Sequence, residues 1–216
     1  MNKIKLFSDN QKPKVLCLGA HADDIEIGCG GTILKIAEEY PKAQFYWVVF
    51  SAEGQRAKEA HRSAEMFLSN VTSKIIDVQA FRDSYFPFIG ATIKDHFNIL
   101  KNNFDPDIIF SHLTKDVHQD HRLIGELTWN AFRNNMILEY EIAKYDADLG
   151  RPNLYIHLNE NLVQKKIFNI CAVFKSQSDK EWFGEESFRS LMRIRGLESN
   201  SPSKYSEAFT CRKAVV

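Results

Sequence analysis

The amino-acid sequence predicts an α/β sandwich whose strands run mostly parallel. Short β-branched or aromatic runs alternate with longer segments whose apolar residues recur at three and four spacing, as in parallel strands joined by crossover helices. With 216 residues, 44% of them hydrophobic, the chain can bury a core of its own. No Pro/Gly/Ser-rich linker, repeat or low-complexity tract divides it, so a single domain over residues 1–216 is expected.

The first strand is read at "KVLCLGA" (14–20), followed by a helix at "GTILKIAEEY" (31–40). A second strand, "AQFYWVVFS" (43–51), leads into the helical "AKEAHRSAEMFL" (57–68), and a third, "SKIIDVQ" (73–79), into "IKDHFNILKNN" (93–103). The fourth strand, "DPDIIFSH" (105–112), precedes the helix "HRLIGELTWNAFRNN" (121–135), and "MILEYEI" (136–142) and "NLYIHL" (153–158) complete six strands. Beyond about residue 159 the text turns helical, with "ENLVQKKIFNICAVFKSQ" and "GEESFRSLMRIRG", and the C-terminal third is expected to wrap the sheet.

Composition excludes several classes of function. Twenty-eight basic residues balance 28 acidic ones, so no global field draws the protein to nucleic acid or an anionic membrane. The first residues lack the apolar segment of a signal peptide, and no stretch approaches the roughly 18 apolar residues of a membrane span, which predicts a soluble protein of the cytoplasm. Cys17, Cys29, Cys171 and Cys211 are scattered without a C-x-x-C pair, against a disulfide framework or thiolate zinc site.

Chemistry concentrates at two strand ends. "VLCLGAHADD" runs from an apolar strand straight into His21, Asp23 and Asp24, and "DIIFSHLTKDVHQDH" holds His112, Asp116, His118, Asp120 and His121. Four of the seven histidines fall in these loops. In an open parallel sheet, ligands bind outside the carboxyl ends of the strands, so both clusters can share one pocket. Imidazole with carboxylate suits zinc or another divalent first-row metal such as Fe2+, and catalytic zinc typically takes three protein ligands. His21 and Asp24 face one ion across a tight turn, and His121 supplies the third ligand. Asp23, beside the ion, is the candidate base for water whose pKa the ion lowers. His118, as imidazolium, would stabilise the oxyanion or protonate a leaving amine, held cationic by Asp120 or Asp116.

Other readings of these residues compete. Asp120 ahead of "RLIGELTWNAF" would serve equally as a helix N-cap. His21 with two adjacent carboxylates resists so plain an account, because like charges against a buried strand repel unless a cation compensates. Gly28, Gly30 and Gly31 after "VLCLGA" are loosely similar to the glycine turn of nucleotide- or S-adenosylmethionine-binding folds, but seven residues intervene, and two carboxylates at the mouth repel a pyrophosphate. The glycines more simply let the chain turn tightly into the first helix. A non-catalytic scaffold leaves the charged rim unexplained. Arg56, Arg82 and Asp83 follow strands on the same rim, as ligand contacts or solvated surface, and the aromatic "SYFPFIG" either stacks on a ligand face or covers the core or a homo-oligomer interface.

"AHADD" (20–24) together with "DVHQDH" (116–121) resembles the LmbE-like (PIG-L) family of metal-dependent N-deacetylases, whose signatures are A-H-P-D-D near the N-terminus and H-x-D-H near mid-chain. "SAEGQRAKEAHRSAEMF", "FRDSYF" and the closing "KYSEAF" extend the likeness thinly over nearly the whole chain. The resemblance implies a Rossmann-like three-layer sandwich with the metal at the C-terminal edge of the strands. It further implies zinc on His21, Asp24 and His121, Asp23 as base, and His118 as the oxyanion or acid group with Asp120 as its partner. The implied reaction is hydrolysis of the N-acetyl group of an N-acetylglucosamine-type sugar or conjugate, releasing acetate and a free amine; a non-sugar amide is the alternative. The family's proline is Ala22 here, which removes rigidity from the turn but no ligand.

Overall fold

The computed structural model describes residues 4–8 and 11–215. Seven strands form one sheet in the order β3-β2-β1-β4-β5-β7-β6. They are β1 (Lys14–His21), β2 (Gln44–Ser51), β3 (Ser73–Val78), β4 (Ile108–His112), β5 (Met136–Tyr140), β6 (Leu154–Leu158) and β7 (Tyr205–Cys211). The helices are α1 (Asp24–Glu39), α2 (Gly54–Phe67), α3 (Gly90–Asn103), α4 (Gln119–Ala131), α5 (Glu160–Val173) and α6 (Glu185–Glu198). Among the described residues, no helix is long and apolar enough to cross a membrane.

Alternation along the central strands sorts side chains into two cores, one on each face of the sheet. Val15 and Cys17 of β1, Trp47 of β2 and Phe110 of β4 pack with Ile33 of α1, Phe67 of α2 and Ile170 of α5. Leu16, Leu18 and Ala20, with Phe50 and Ile109, face Ile93 and Phe97 of α3 and Ile124 of α4. The result is the three-layer α/β sandwich that the alternating pattern predicts, with every pairing parallel except those of β7.

Two expectations need correction. The C-terminal third does not merely wrap the sheet: β7 enters it, antiparallel between β5 and β6. The glycines after the first strand also form no turn, because α1 already starts at Asp24 and carries them inside it. Their role is close approach. A Cβ at Gly28 would overlap the Tyr140 ring, and one at Gly31 would overlap Leu158. At Gly30 it would sit 2.7 Å from Phe67 Cε1. Packed against these side chains, the buried run offers no backbone to a pyrophosphate, which removes the nucleotide-binding reading.

Strand β1 pairs with β2 on one side and β4 on the other, both parallel, so the chain reverses its winding at β1/β4. Ligands of doubly wound sheets bind at such a point, beyond the strands' carboxyl ends. His21 ends β1 and His112 ends β4.

Candidate metal centre

The turn from β1 into α1 spends only Ala22 and Asp23. Asp23 adopts φ 107°, a left-handed conformation that costs a non-glycine residue of order 1–3 kcal/mol and marks functional sites more often than ordinary turns. Through it the chain delivers His21 from the strand and Asp24 from the first helical turn to one spot. Asp24 Oδ2 accepts the His21 backbone N–H at 2.7 Å and lies 3.4 Å from His21 Nδ1. From the β4–α4 loop, His121 brings its Nε2 to 3.2 Å from His21 Nδ1 and 3.5 Å from Asp24 Oδ1. The two imidazoles and one carboxylate expected as ligands therefore converge, with donor atoms within 4.8 Å of one another.

The opposite nitrogen of each ring is held by a carboxylate. His21 Nε2 faces Asp120 Oδ2 at 3.2 Å and Asp83 Oδ1 at 3.1 Å, and His121 Nδ1 faces Asp116 Oδ2 at 3.0 Å. An ionised carboxylate only accepts, so these nitrogens donate and the lone pairs can reside on His21 Nδ1 and His121 Nε2, the atoms that meet beside Asp24. Metal-binding histidines are oriented in this way, by a carboxylate on the far nitrogen. The donor set fits a divalent first-row cation.

His112, whose role the sequence leaves open, underlies the group. Its Nε2 accepts the Ala20 N–H at 2.9 Å and lies 3.2 Å from Asp24 Oδ2, while its ring stacks on His121 with centroids 4.1 Å apart. Burial and the neighbouring His121 push its pKa down to about 4. Burial opposes ionisation of Asp24, but His121 and His112 outweigh it and hold this carboxyl well below its ordinary range. Burial likewise disfavours the charged His21, yet Asp120, Asp24 and Asp83 raise its pKa well above the usual histidine value. Asp120, Asp24 and Asp83 thus set a negative field around His21 that favours positive charge, whether a proton or a metal ion, where the ring nitrogens meet.

Asp23 stands beside that point, not within the ligand trio. Arg56 Nη2 donates to Asp23 Oδ1 at 3.2 Å and to the Ala22 carbonyl at 2.6 Å, while buried Asp23 Oδ2 has no protein partner. Burial lifts the Asp23 pKa to about 7, against the pull of Arg56. Such a carboxylate is poised to exchange a proton near neutrality.

The anticipated pairing of His118 with Asp120 does not form. His118, not Asp120, is the N-cap of α4: its Nδ1 accepts the Asp120 backbone N–H at 3.3 Å. The Asp120 carboxylate turns away, accepting the Ser84 and Phe86 N–H groups at 2.7 and 3.1 Å while facing His21. Asp116 meets His118 only through its backbone N–H. Burial, with His121 and His21 nearby, holds the His118 pKa below the ordinary histidine value, and an Nδ1 that accepts a hydrogen bond does not carry the second proton of the expected imidazolium. With Nδ1 accepting, its proton sits on Nε2.

The rim residues are placed less uniformly. Arg56 joins the centre through Asp23, and Asp83 through His21. Arg82 instead lies over the Tyr85 ring, 3.5 Å from its centroid. Phe86 is buried and stacks near His21, whereas Phe88 is 76% exposed, so the aromatic loop divides between core and surface. Sequence reasoning missed Lys144, which contacts Asp116, and nothing in "KYDADLG" signals it.

Comparison with known proteins adds three kinds of finding. The family model described as GlcNAc-PI de-N-acetylase (PIG-L) matches residues 16–132. The chain is 25% identical over 156 residues to YaiS of Escherichia coli K12, described as an uncharacterized deacetylase, covering 65% of this chain and 80% of YaiS. Among solved structures, N,N'-diacetylchitobiose deacetylase from Pyrococcus horikoshii aligns with a TM-score of 0.68 and 23% identity, covering 95% of this chain and 87% of that one. GalB, the 4-carboxy-2-hydroxymuconate hydratase from Pseudomonas putida KT2440, aligns with a TM-score of 0.74 and 17% identity, covering 94% and 98%. These structural likenesses establish a shared fold, and the hydratase shows that the fold alone does not fix the reaction.

Proposed function

The chain belongs to the PIG-L family of metal-dependent N-deacetylases, and from that premise we propose that it hydrolyses the N-acetyl group of an amino sugar or sugar conjugate, using Zn2+ or Fe2+ held by His21, Asp24 and His121. The observation that carries this reading is the orientation of the two rings: carboxylates hold their far nitrogens, and their near nitrogens meet at Asp24. A divalent cation held by these residues would supply Lewis acidity toward the amide carbonyl and would lower the pKa of water beside it.

The chain's own groups perform the proton transfers. Asp23, with one oxygen on Arg56 and the other unpartnered, takes the proton from the attacking water. The same carboxyl then returns that proton to the departing amine. His118, neutral and protonated on Nε2, donates a hydrogen bond to the oxygen that gains charge as the carbonyl is attacked. Asp120 acts through His21, which it orients jointly with Asp83.

The sugar assignment rests on the family description, which names a GlcNAc compound, and on the chitobiose derivative named for the Pyrococcus enzyme. Arg56, Arg82 and Asp83 are the proposed sugar contacts from the rim. The test is metal analysis followed by an acetate-release screen across N-acetylated sugars. About one equivalent of metal per chain and acetate release from at least one sugar is the expected result. A metal-loaded protein that releases acetate from none of them, but cleaves a non-sugar amide, would overturn the sugar assignment while leaving the hydrolytic centre in place.

A further inference from the structure

The loop between β5 and β6 reaches the candidate metal centre from beyond residue 132, where the family match ends. Lys144 Nζ lies 3.0 Å from Asp116 Oδ1, and Asp116 Oδ2 lies 3.0 Å from His121 Nδ1. The same ammonium donates to both oxygens of Asp148, at 2.8 and 2.7 Å, and Asp148 Oδ2 accepts the Val117 N–H at 2.9 Å. The β5–β6 loop is thereby fastened to the β4–α4 loop at Asp116 and at Val117.

Asp116 is 3% exposed, so its charge needs a partner. Arg122 is near but spends its Nη1 on the Asp116 and Val117 carbonyls, not on the carboxylate. The His118 N–H donates to Asp116 Oδ1 and carries no formal charge, so that, among the described residues, Lys144 is the lysine or arginine whose charged group pairs with this carboxylate. Holding Oδ1 also decides which oxygen faces His121. A second consequence concerns competition: His112, Asp116 and His121 form another converging trio, sharing His121 with the His21–Asp24–His121 set. A cation captured there through His121 Nδ1 would leave the ring's proton on Nε2, the nitrogen that faces Asp24 and His21.

We propose that Lys144 is a positioning residue for the metal centre: by pairing with Asp116 it orients His121 Nε2 toward Asp24 and His21 and keeps Asp116 from becoming a ligand. This rests on the assignment of His21, Asp24 and His121 as ligands.

The test compares wild type with Lys144→Met and Lys144→Arg, reading Zn2+ affinity by chelator competition and the His121 ring nitrogens by long-range 1H–15N NMR on metal-free protein. Lys144→Met should weaken Zn2+ binding by about 10- to 100-fold, the usual cost of losing an outer-shell partner, and should erode the Nδ1-protonated form of His121. Lys144→Arg, which keeps the charge, should restore most of both. Asp148→Asn, which loosens the lysine without removing it, should shift both in the same direction by less, and it replaces Lys144→Met if that variant does not fold. Unchanged affinity with an unchanged His121 spectrum overturns the proposal. A wild-type chain that binds no Zn2+ overturns the ligand assignment instead, and the metal-free spectra then decide the Lys144–Asp116–His121 link by themselves.

Discussion

Two regions of this molecule hold buried charge on opposite principles. At the β1/β4 rim, Asp23, Asp24, Asp116, Asp120, His112 and His121 are all 5% exposed or less, and Asp23 Oδ2 and His112 Nδ1 have no protein partner. Between β5, β7, α5 and α6, every buried charge is matched. Lys166 meets Glu207 at 2.6 Å and the Ile27 carbonyl at 2.7 Å, while Glu207 also accepts the Gly31 and Thr32 N–H groups at 2.8 and 2.6 Å. Arg195 takes both oxygens of Glu141 at 2.6 and 2.8 Å and donates to the Gly150 carbonyl. Groups satisfied within the protein stabilise one arrangement, whereas groups left short of a partner keep capacity for a ligand. The contrast separates a structural corner from the rim proposed to be reactive.

The strongest way to break that contrast is at the rim. Asp23→Asn should retain metal and lose about 10²-fold or more in rate, measured as acetate release by metal-loaded protein; normal turnover would remove Asp23 as the base. In the corner, Glu207→Gln leaves Lys166 buried without a counter-charge and should cost about 3–5 kcal/mol of folding stability, read by denaturant unfolding, with turnover per folded molecule unchanged. A loss of rate without a loss of stability would place Glu207 in the reactive region after all. Zn2+ at 100 times its Kd should stabilise wild type by about 2.7 kcal/mol and give nothing to Asp24→Asn, seen as a rise in unfolding midpoint.

The smallest effect sharpens the scale. Asp77 of β3 pairs with His96 of α3 at 3.1 Å, away from both regions. Burial works against its carboxylate, but His96 and Gln79 outweigh burial and hold the pKa below the ordinary value. A depressed pKa contributes stability above the unfolded-state value of about 3.9 and loses it as pH falls through the lower folded value. Asp77→Asn should therefore cost under about 1 kcal/mol at pH 7, with a shallower fall in stability below about pH 4; an equal cost at every pH would show that packing, not charge, matters there.

The six strands with strong apolar runs were legible because periodicity needs no partner to be read. Strand β7 was not: Tyr-Ser-Glu-Ala-Phe-Thr-Cys mixes polar and apolar residues because it carries Glu207 inward to α1, a demand visible only once the helix is in place. The start of α1 was hidden for a related reason, since glycines that read as a turn are needed for contact with Tyr140, Phe67 and Leu158. At the site, the convergence of His21, Asp24 and His121 could be anticipated from two motifs at two strand ends. Which carboxylate faces which ring could not. That depends on the first turn of α4, where His118 takes the capping position and the Asp120 side chain swings to His21.

The bonds from Glu207 to Gly31 and Thr32 span 176 and 175 residues. During synthesis the helix that begins at Asp24 leaves the ribosome long before the carboxylate that anchors its interior, so this contact forms only after the last strand has been made. Contacts this distant in sequence slow folding, because the closure entropy is lost before the contact repays it. Activity should appear late in refolding, in step with the docking of the final strand.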